Sequence, residues 1–218
     1  MQDLSPRQTT AIVSDHSLMQ HARPAVVMLL LFTVLTGLVY PLAMTAIAQV
    51  AMPWRANGSL VEKGGKVVGS SLIGQNFQGD RYFHGRPSAT TGPDANDASK
   101  SVAAPYNAAN STGSNYGPLS KDLHDRIEAE AAKLKAGASA TLLPADSVTA
   151  SASGLDPDIS PAFAALQFPR IAKARGLSED ALRKLVDSQT EHPILGFLGE
   201  TDVNVLKINL ALDALPPG

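Results

Sequence analysis

His84 is the ionisable residue whose surroundings most suggest chemistry. It sits in the run Tyr82-Phe83-His84-Gly85-Arg86-Pro87, between an aromatic pair and a guanidinium. An imidazole there could give or take a proton near neutral pH. A working acid or base needs a placed partner, and Asp80 is the only carboxylate close by in sequence. A structural or interface histidine is the reading the run favours. Arg86, fixed by the proline after it, reads as a turn residue with a guanidinium available for an interface. His16, His21, His124 and His192 are scattered and take no role.

Other chemistries fail on their residues. With no cysteine, thiolate nucleophiles, disulfides, zinc thiolates and iron–sulfur clusters are excluded. A phosphate-cradling P-loop fails because Gly65-Lys66 is followed by Val67 and Leu60 stands where the first glycine belongs. Gly-x-Ser-x-Gly, Ser-x-x-Lys and His-Glu-x-x-His do not occur. Asp156-Pro157-Asp158-Ile159-Ser160 opens like a calcium loop, but Pro161 and Gln167 occupy the positions that need glycine and glutamate, so a turn and helix start is expected. A net charge of −2 without a Lys/Arg cluster argues against a nucleic-acid partner.

The elements that must position these residues begin with an apolar stretch. Pro24 through Trp54, 31 residues between Arg23 and Arg55, carry no charged side chain. About 20 such residues cross a bilayer's hydrocarbon core, so residues 25–50 are expected to form a transmembrane helix, kinked near Pro41. Trp54 suits an interfacial anchor. Residues 1–22 read as a polar, mostly unstructured leader. A cleaved signal peptide is the competing reading, with Ala46-Ile47-Ala48 as cleavage pattern, although the stretch exceeds the usual apolar region of such peptides. Arg7 and Arg23 before the segment and Arg55, Lys63 and Lys66 after it leave the orientation undecided.

Residues 55–218 read as one small α+β domain, so the fold class is α+β with an N-terminal transmembrane helix and a single exported domain. Short apolar runs flank Gly64-Gly65, predicting a β-hairpin that Ser71–Phe77 extends. Ser88–Pro118 is poor in aliphatic residues, and its tyrosines suggest an ordered loop packed on something. Ser120 is expected to cap a helix through Lys135, with Leu119, Leu123, Ile127 and Leu134 on one stripe. Ser160-Pro161 starts a helix that meets Pro169 and ends at Gly176, and Ser178 caps a third. Leu206, Ile208, Leu210 and Leu212 alternate with Lys207, Asn209 and Ala211, which suggests a strand, although a helix also fits.

Several of these runs, taken in order, resemble a known family. They are Ser71-Leu72-Ile73-Gly74-Gln75, Tyr82 through Ala89, Gly113-Ser114-Asn115-Tyr116-Gly117-Pro118, Pro144 through Ser151, Gly154-Leu155-Asp156-Pro157, Leu195-Gly196-Phe197-Leu198-Gly199-Glu200, and Val203 through Leu206 leading to Asn209–Asp213. With the preceding span they are similar to the C subunit of the potassium-transporting Kdp P-type ATPase, over about residues 25–214. Ala152 stands where the family usually has glycine and Asp158 where it usually has histidine, so no role resting on that histidine carries over.

The resemblance implies an accessory, non-catalytic subunit of a high-affinity, ATP-driven potassium transporter in a bacterial inner membrane. It would be single-pass, with a cytoplasmic N-terminus and a periplasmic domain. Implied partners are a channel-like potassium-binding subunit, an ATP-hydrolysing P-type subunit, a small membrane peptide and the lipid bilayer. The family is described as a catalytic chaperone that raises the ATP affinity of the hydrolysing subunit. No cofactor is implied for this chain alone, with ATP at most shared with that subunit. The absence of an Asp-Lys-Thr-Gly motif and of a Thr-Val-Gly-Tyr-Gly-like filter agrees with an accessory role. A membrane-anchored periplasmic enzyme or binding protein is the alternative. Within the accessory reading, Gly37 is expected to allow close helix packing. Tyr82, Phe83, His84, Arg86, Tyr106, Asn107, Asn115 and Tyr116 are expected to face the channel-like subunit.

Overall fold

A computed structural model of the chain describes residues 16–137, 142–193 and 195–216. The chain divides into two units, residues 1–57 and 58–218. In the first, α1 (His16–Val34), a π-helical turn (Leu35–Val39) and α2 (Tyr40–Ala51) run on without a break. The short α3 (Pro53–Ala56) follows Met52. The part from Met19 to Ala51, 33 residues, is long and apolar enough to cross a membrane, and at ~1.5 Å per residue it spans about 50 Å. Its side chains are nearly all exposed in the isolated chain. A helix apolar on every face needs a non-aqueous surround.

Where a kink was expected near Pro41, a π turn directly precedes the proline. Proline at the start of α2 cannot donate its backbone bond, and the turn before it widens so that Tyr40 N–H reaches Leu35 O, five residues back. The unstructured leader expected over 1–22 does not extend to its last residues, since the helix begins at His16. Residues 1–15 lie outside the described residues.

In the second unit, β1 (Leu60–Lys63) and β2 (Lys66–Ser70) pair antiparallel. Gly64 and Gly65 between them have φ of 61° and 75°, which a two-residue hairpin turn of this hand demands and which side chains resist. Ser71–Phe77 does not extend this sheet as a strand; among the described residues it adds only a bridge between Ile73 and Ser70. A second hairpin, β3 (Thr91–Pro93) with β4 (Ser101–Ala103), lies inside the stretch expected to be loop.

Helix α4 (Lys121–Gly137) follows, with Leu123 N–H donating to Ser120 Oγ. Leu119, expected on its packed stripe, precedes the cap and is fully exposed. A 3₁₀ turn (Ala145–Ser147) leads to β5 (Asp158–Ile159). Then come α5 (Pro161–Leu166), α6 (Phe168–Arg175), α7 (Glu179–Gln189), β6 (Thr190–Glu191), β7 (Asp202–Asn204) and α8 (Val205–Asp213). Ser160 and Ser178 cap α5 and α7 through their hydroxyls, and Gly176 ends α6 in the left-handed region at φ 70°. The three-stranded sheet has the order β5-β7-β6.

The C-terminal segment is a helix, where alternation had suggested a strand. Asn204 Oδ1 accepts from Lys207 N–H at its start. The buried set is Val205, Leu206, Ile208, Asn209 and Leu212, a helical spacing that includes the polar Asn209, which the alternation had placed with the solvent-facing residues. Of these, Val205, Ile208 and Leu212 join Ile159, Phe163, Phe168, Ile171, Leu182, Val186 and Val203 in one core. Phe83 enters that core from outside the helices, its ring edge-on to Phe168 at 6.4 Å between centroids.

Candidate functional site

The Tyr82–Pro87 run crosses this helical core as an extended strap, held by side chains that imitate a neighbouring strand. Phe83 N–H donates to Asn209 Oδ1 (2.8 Å), and Asn209 Nδ2 donates back to Phe83 O (2.9 Å). One residue on, His84 N–H donates to Gln167 Oε1 (2.8 Å) and Gln167 Nε2 to His84 O (3.1 Å). Each buried amide thereby satisfies both polar groups of one strap residue. Arg170 donates to the carbonyls of Gly79, Asp80 and Tyr82. Arg175 donates to Arg81 O, pairs with Asp213 at 2.8 Å and lies over the Tyr82 ring, 4.9 Å from its centroid. Burial, then Arg170, push the His84 imidazole below its ordinary value, so it is neutral at pH 7. Its Nε2 lies 3.0 Å from Gly79 O. A carbonyl can only accept, which makes Nε2 the protonated nitrogen and leaves the ring in a structural bond.

Beyond the strap, Arg86 Nη1 pairs with Asp156 at 2.7 Å. Tyr106 donates its hydroxyl to Arg86 O (2.7 Å). The Tyr106 ring fits only because two neighbours lack side chains: a Cβ on Gly85 would lie 2.2 Å from its hydroxyl, and one on Gly74 2.4 Å from its ring. Burial, then Asp156, push the Tyr106 phenol up to about 12, so it remains a donor. Ser88 Oγ donates to Gly154 O and accepts from Tyr106 N–H. Thr90 Oγ1 donates to Ala104 O and accepts from Asn107 N–H, and Asn107 Nδ2 donates to Thr91 O. Gly154, at φ 65°, touches this network so closely that a Cβ would meet Thr90 Cγ2 at 2.5 Å. A loop with few aliphatic side chains is thus ordered by hydrogen bonds within its own domain.

Two clefts flank the strap. One, of about 390 Å³, is lined by Arg86 and by the carboxylates of Asp146, Asp156, Asp158, Glu200 and Asp202. Asp146 is committed to Ser160, and Asp156 to Arg86. Burial, with repulsion from Asp202, Asp156 and Glu191, raises the Asp158 carboxyl to about 6, although Asn204 Nδ2 donates to it at 2.8 Å. Burial, then Glu191 and Asp156, also raise the Asp202 carboxyl. The other cleft, of about 640 Å³, has Phe163 and Leu166 in its wall with Lys133, Lys173, His84 and Arg170. A nucleoside triphosphate needs cations and free N–H groups turned toward its phosphates. The first cleft offers repulsion; in the second Arg170 donates to carbonyls and Lys133 pairs with Glu130, while Lys173 also lines the wall. Among the described residues no group of three or more His, Asp or Glu is arranged for a metal ion.

The residues expected at an interface therefore separate. Phe83 is fully buried and presents nothing to a partner. Arg86, Tyr106 and Asn107 meet one another through the strap and loop, but in bonds internal to the domain, so Arg86 is a stabilising residue as well as a surface one. Tyr82 and His84 are half-buried on the strap. Asn115 is exposed in the left-handed region at φ 53°, and Tyr116 lies beneath Arg126 of α4, 5.4 Å from the guanidinium carbon. Gly37 sits in the π turn with open space where a Cβ would be. Gln167, Asn209, Arg170 and Arg175 were not singled out by the sequence as site residues, although each bonds the strap or the residues leading into it. A polar Asn209 among the apolar residues of a helical stripe is the signal that could have found one of them.

Comparison with known proteins bears on the whole chain. The KdpC family, described as the c chain of K+-transporting ATPases, matches residues 22–214. The chain is 62% identical over 200 residues to the potassium-transporting ATPase KdpC subunit of Rhodopseudomonas palustris, covering 92% of this chain and 100% of that protein. It is 59% identical over 196 residues to the same-named subunit of Bradyrhizobium diazoefficiens, covering 90% and 98%. It is also 59% identical over 198 residues to that of Methylobacterium nodulans, covering 91% and 98%.

Proposed function

The chain belongs to the KdpC family of potassium-transporting ATPase subunits, and we propose that it is a non-catalytic, single-pass subunit whose folded domain braces the assembled transporter. The observation that carries this reading is the pairing of one 33-residue apolar helix with a domain whose polar side chains are engaged in holding its own strap and loop. His84, the acid or base candidate that the sequence offers, is neutral and bonded to a carbonyl. On this reading the helix anchors the chain in the inner membrane with the N-terminus in the cytoplasm, and the domain lies in the periplasm against the channel-like, potassium-binding subunit. The ATP-hydrolysing subunit and the small membrane peptide complete the complex.

A periplasmic domain cannot touch cytosolic ATP. We therefore assign any effect on the ATP affinity of the hydrolysing subunit to contacts between subunits, with no side chain of this domain reaching the nucleotide. Fusing a reporter active only outside the cytoplasm after Gly218 tests the topology, and activity is expected there and absent from a fusion near Met1. Deleting the chain should abolish uptake at micromolar potassium together with potassium-stimulated ATP hydrolysis. Reporter activity at the N-terminal fusion, or a mature N-terminus near Gln49, would overturn the anchoring.

A further inference from the structure

The segment between β6 and β7 presents an apolar tip that the core does not use. Leu195, Phe197 and Leu198 are 78%, 73% and 53% exposed, whereas large apolar side chains grouped on a soluble surface usually mark a contact. The tip is held in an unusual conformation. Leu195, which has a Cβ, is in the left-handed region at φ 57°, and Gly196 and Gly199 follow at 79° and 109°. Leucine at positive φ is strained, and strain of this kind collects at functional segments.

What covers the tip is indicated by the charge beside it. Glu200 and Asp202 follow directly and line the acidic cleft, together with Asp158, Asp156 and Asp146; the single cation there, Arg86, is taken by Asp156. An anionic lipid surface would meet these carboxylates with repulsion. In a symmetric contact a second copy would set the same acidic edge against itself. A surface with an apolar pocket and a basic border meets neither objection, and complementary charge around an aromatic anchor is the usual form of a specific contact.

We propose that the Leu195–Leu198 tip and the acidic edge starting at Glu200 dock into an apolar pocket bordered by lysine or arginine on another subunit of the ATPase. This inference rests on the accessory-subunit reading above.

The test uses the full chain co-expressed with the other ATPase subunits. A benzophenone amino acid placed at Phe197 should, on illumination, join this chain to one partner subunit at a segment containing both apolar and basic residues. The double variant Leu195→Ser, Phe197→Ser should melt like the parent, because both side chains are exposed, yet recover at least fivefold less of the partners. Glu200→Lys should reduce recovery in the same direction. Crosslinks confined to lipid or to a second copy, no protein crosslink at all, or full recovery of the partners by the double variant would overturn the proposal while the accessory reading stands. If the parent chain itself recovers no partner, both fall.

Discussion

Replacing Asp158 by asparagine exchanges a carboxylate for a neutral amide of nearly the same shape. The Oδ1 of the new residue can still accept from Asn204 Nδ2, which holds position 158 opposite Asn204 in the β5–β7 pair. What changes is the charge. In the folded domain the carboxyl titrates near 6 against an ordinary 3.8, chiefly through burial and then through Asp202, Asp156 and Glu191. Its ionised form is thus disfavoured by folding. The cost is absent below pH 3.8, grows as pH rises and is complete above about 6. At about 1.4 kcal/mol per pH unit the gap corresponds to about 3 kcal/mol. The group is only half-buried, so solvent screening reduces this to about 1.5 kcal/mol. For a domain of this size that is roughly 3–6 °C in Tm. We expect Asp158→Asn to raise Tm by that amount at pH 8, with the gain shrinking to nothing near pH 4. The assay is thermal unfolding of the full chain in detergent, followed by circular dichroism at both pH values. An unchanged or lower Tm at pH 8, or a gain equal at both pH values, would refute the reasoning.

Three further outcomes follow from the strap and the helix. Arg86→Ala leaves Asp156 half-buried beside other carboxylates and should cost about 1–2 kcal/mol, discounted from the range for buried pairs because both partners keep a quarter of their exposure; denaturant titration of parent, Arg86→Ala and Arg86→Lys should place the lysine variant between the other two. Asn209→Leu deprives the buried Phe83 N–H and C=O of their partners and should cost about 2–4 kcal/mol by the same titration. Gly37→Leu should insert into membranes normally yet recover less of the complex, because a bulky side chain on the π turn bars close helix approach; equal recovery from membranes of parent and variant would count against helix packing at this point.

The parts of the fold that were legible in sequence are those decided locally. Gly64-Gly65 dictate a hairpin because only glycine takes both dihedrals cheaply, and Ser160-Pro161, Ser178 and Gly176 mark helix ends through their own capping bonds. The C-terminal helix was harder, because Leu206, Ile208 and Leu212 satisfy period two and a helical stripe alike. The assignment turned on Asn204 as a cap and on Asn209 finding a partner 126 residues away. The Ser88–Pro118 stretch was legible as an ordered loop, but not in what orders it. Its composition offers no apolar core, and serine, threonine and asparagine side chains bonded to distant carbonyls supply the order. Such pairings as Ser88 with Gly154, or Arg86 with Asp156, leave no periodic trace in the sequence.

Isolation of the complex tests the accessory-subunit assignment most directly. The full chain, tagged and co-expressed with the other ATPase subunits, is extracted in mild detergent and its companions are identified by mass spectrometry. The account predicts that a channel-like potassium-binding subunit, a P-type ATP-hydrolysing subunit and a small membrane peptide are recovered with it in fixed ratio, and that the chain alone hydrolyses no ATP. Recovery of the chain by itself, with the other three assembled and active without it, would contradict the account.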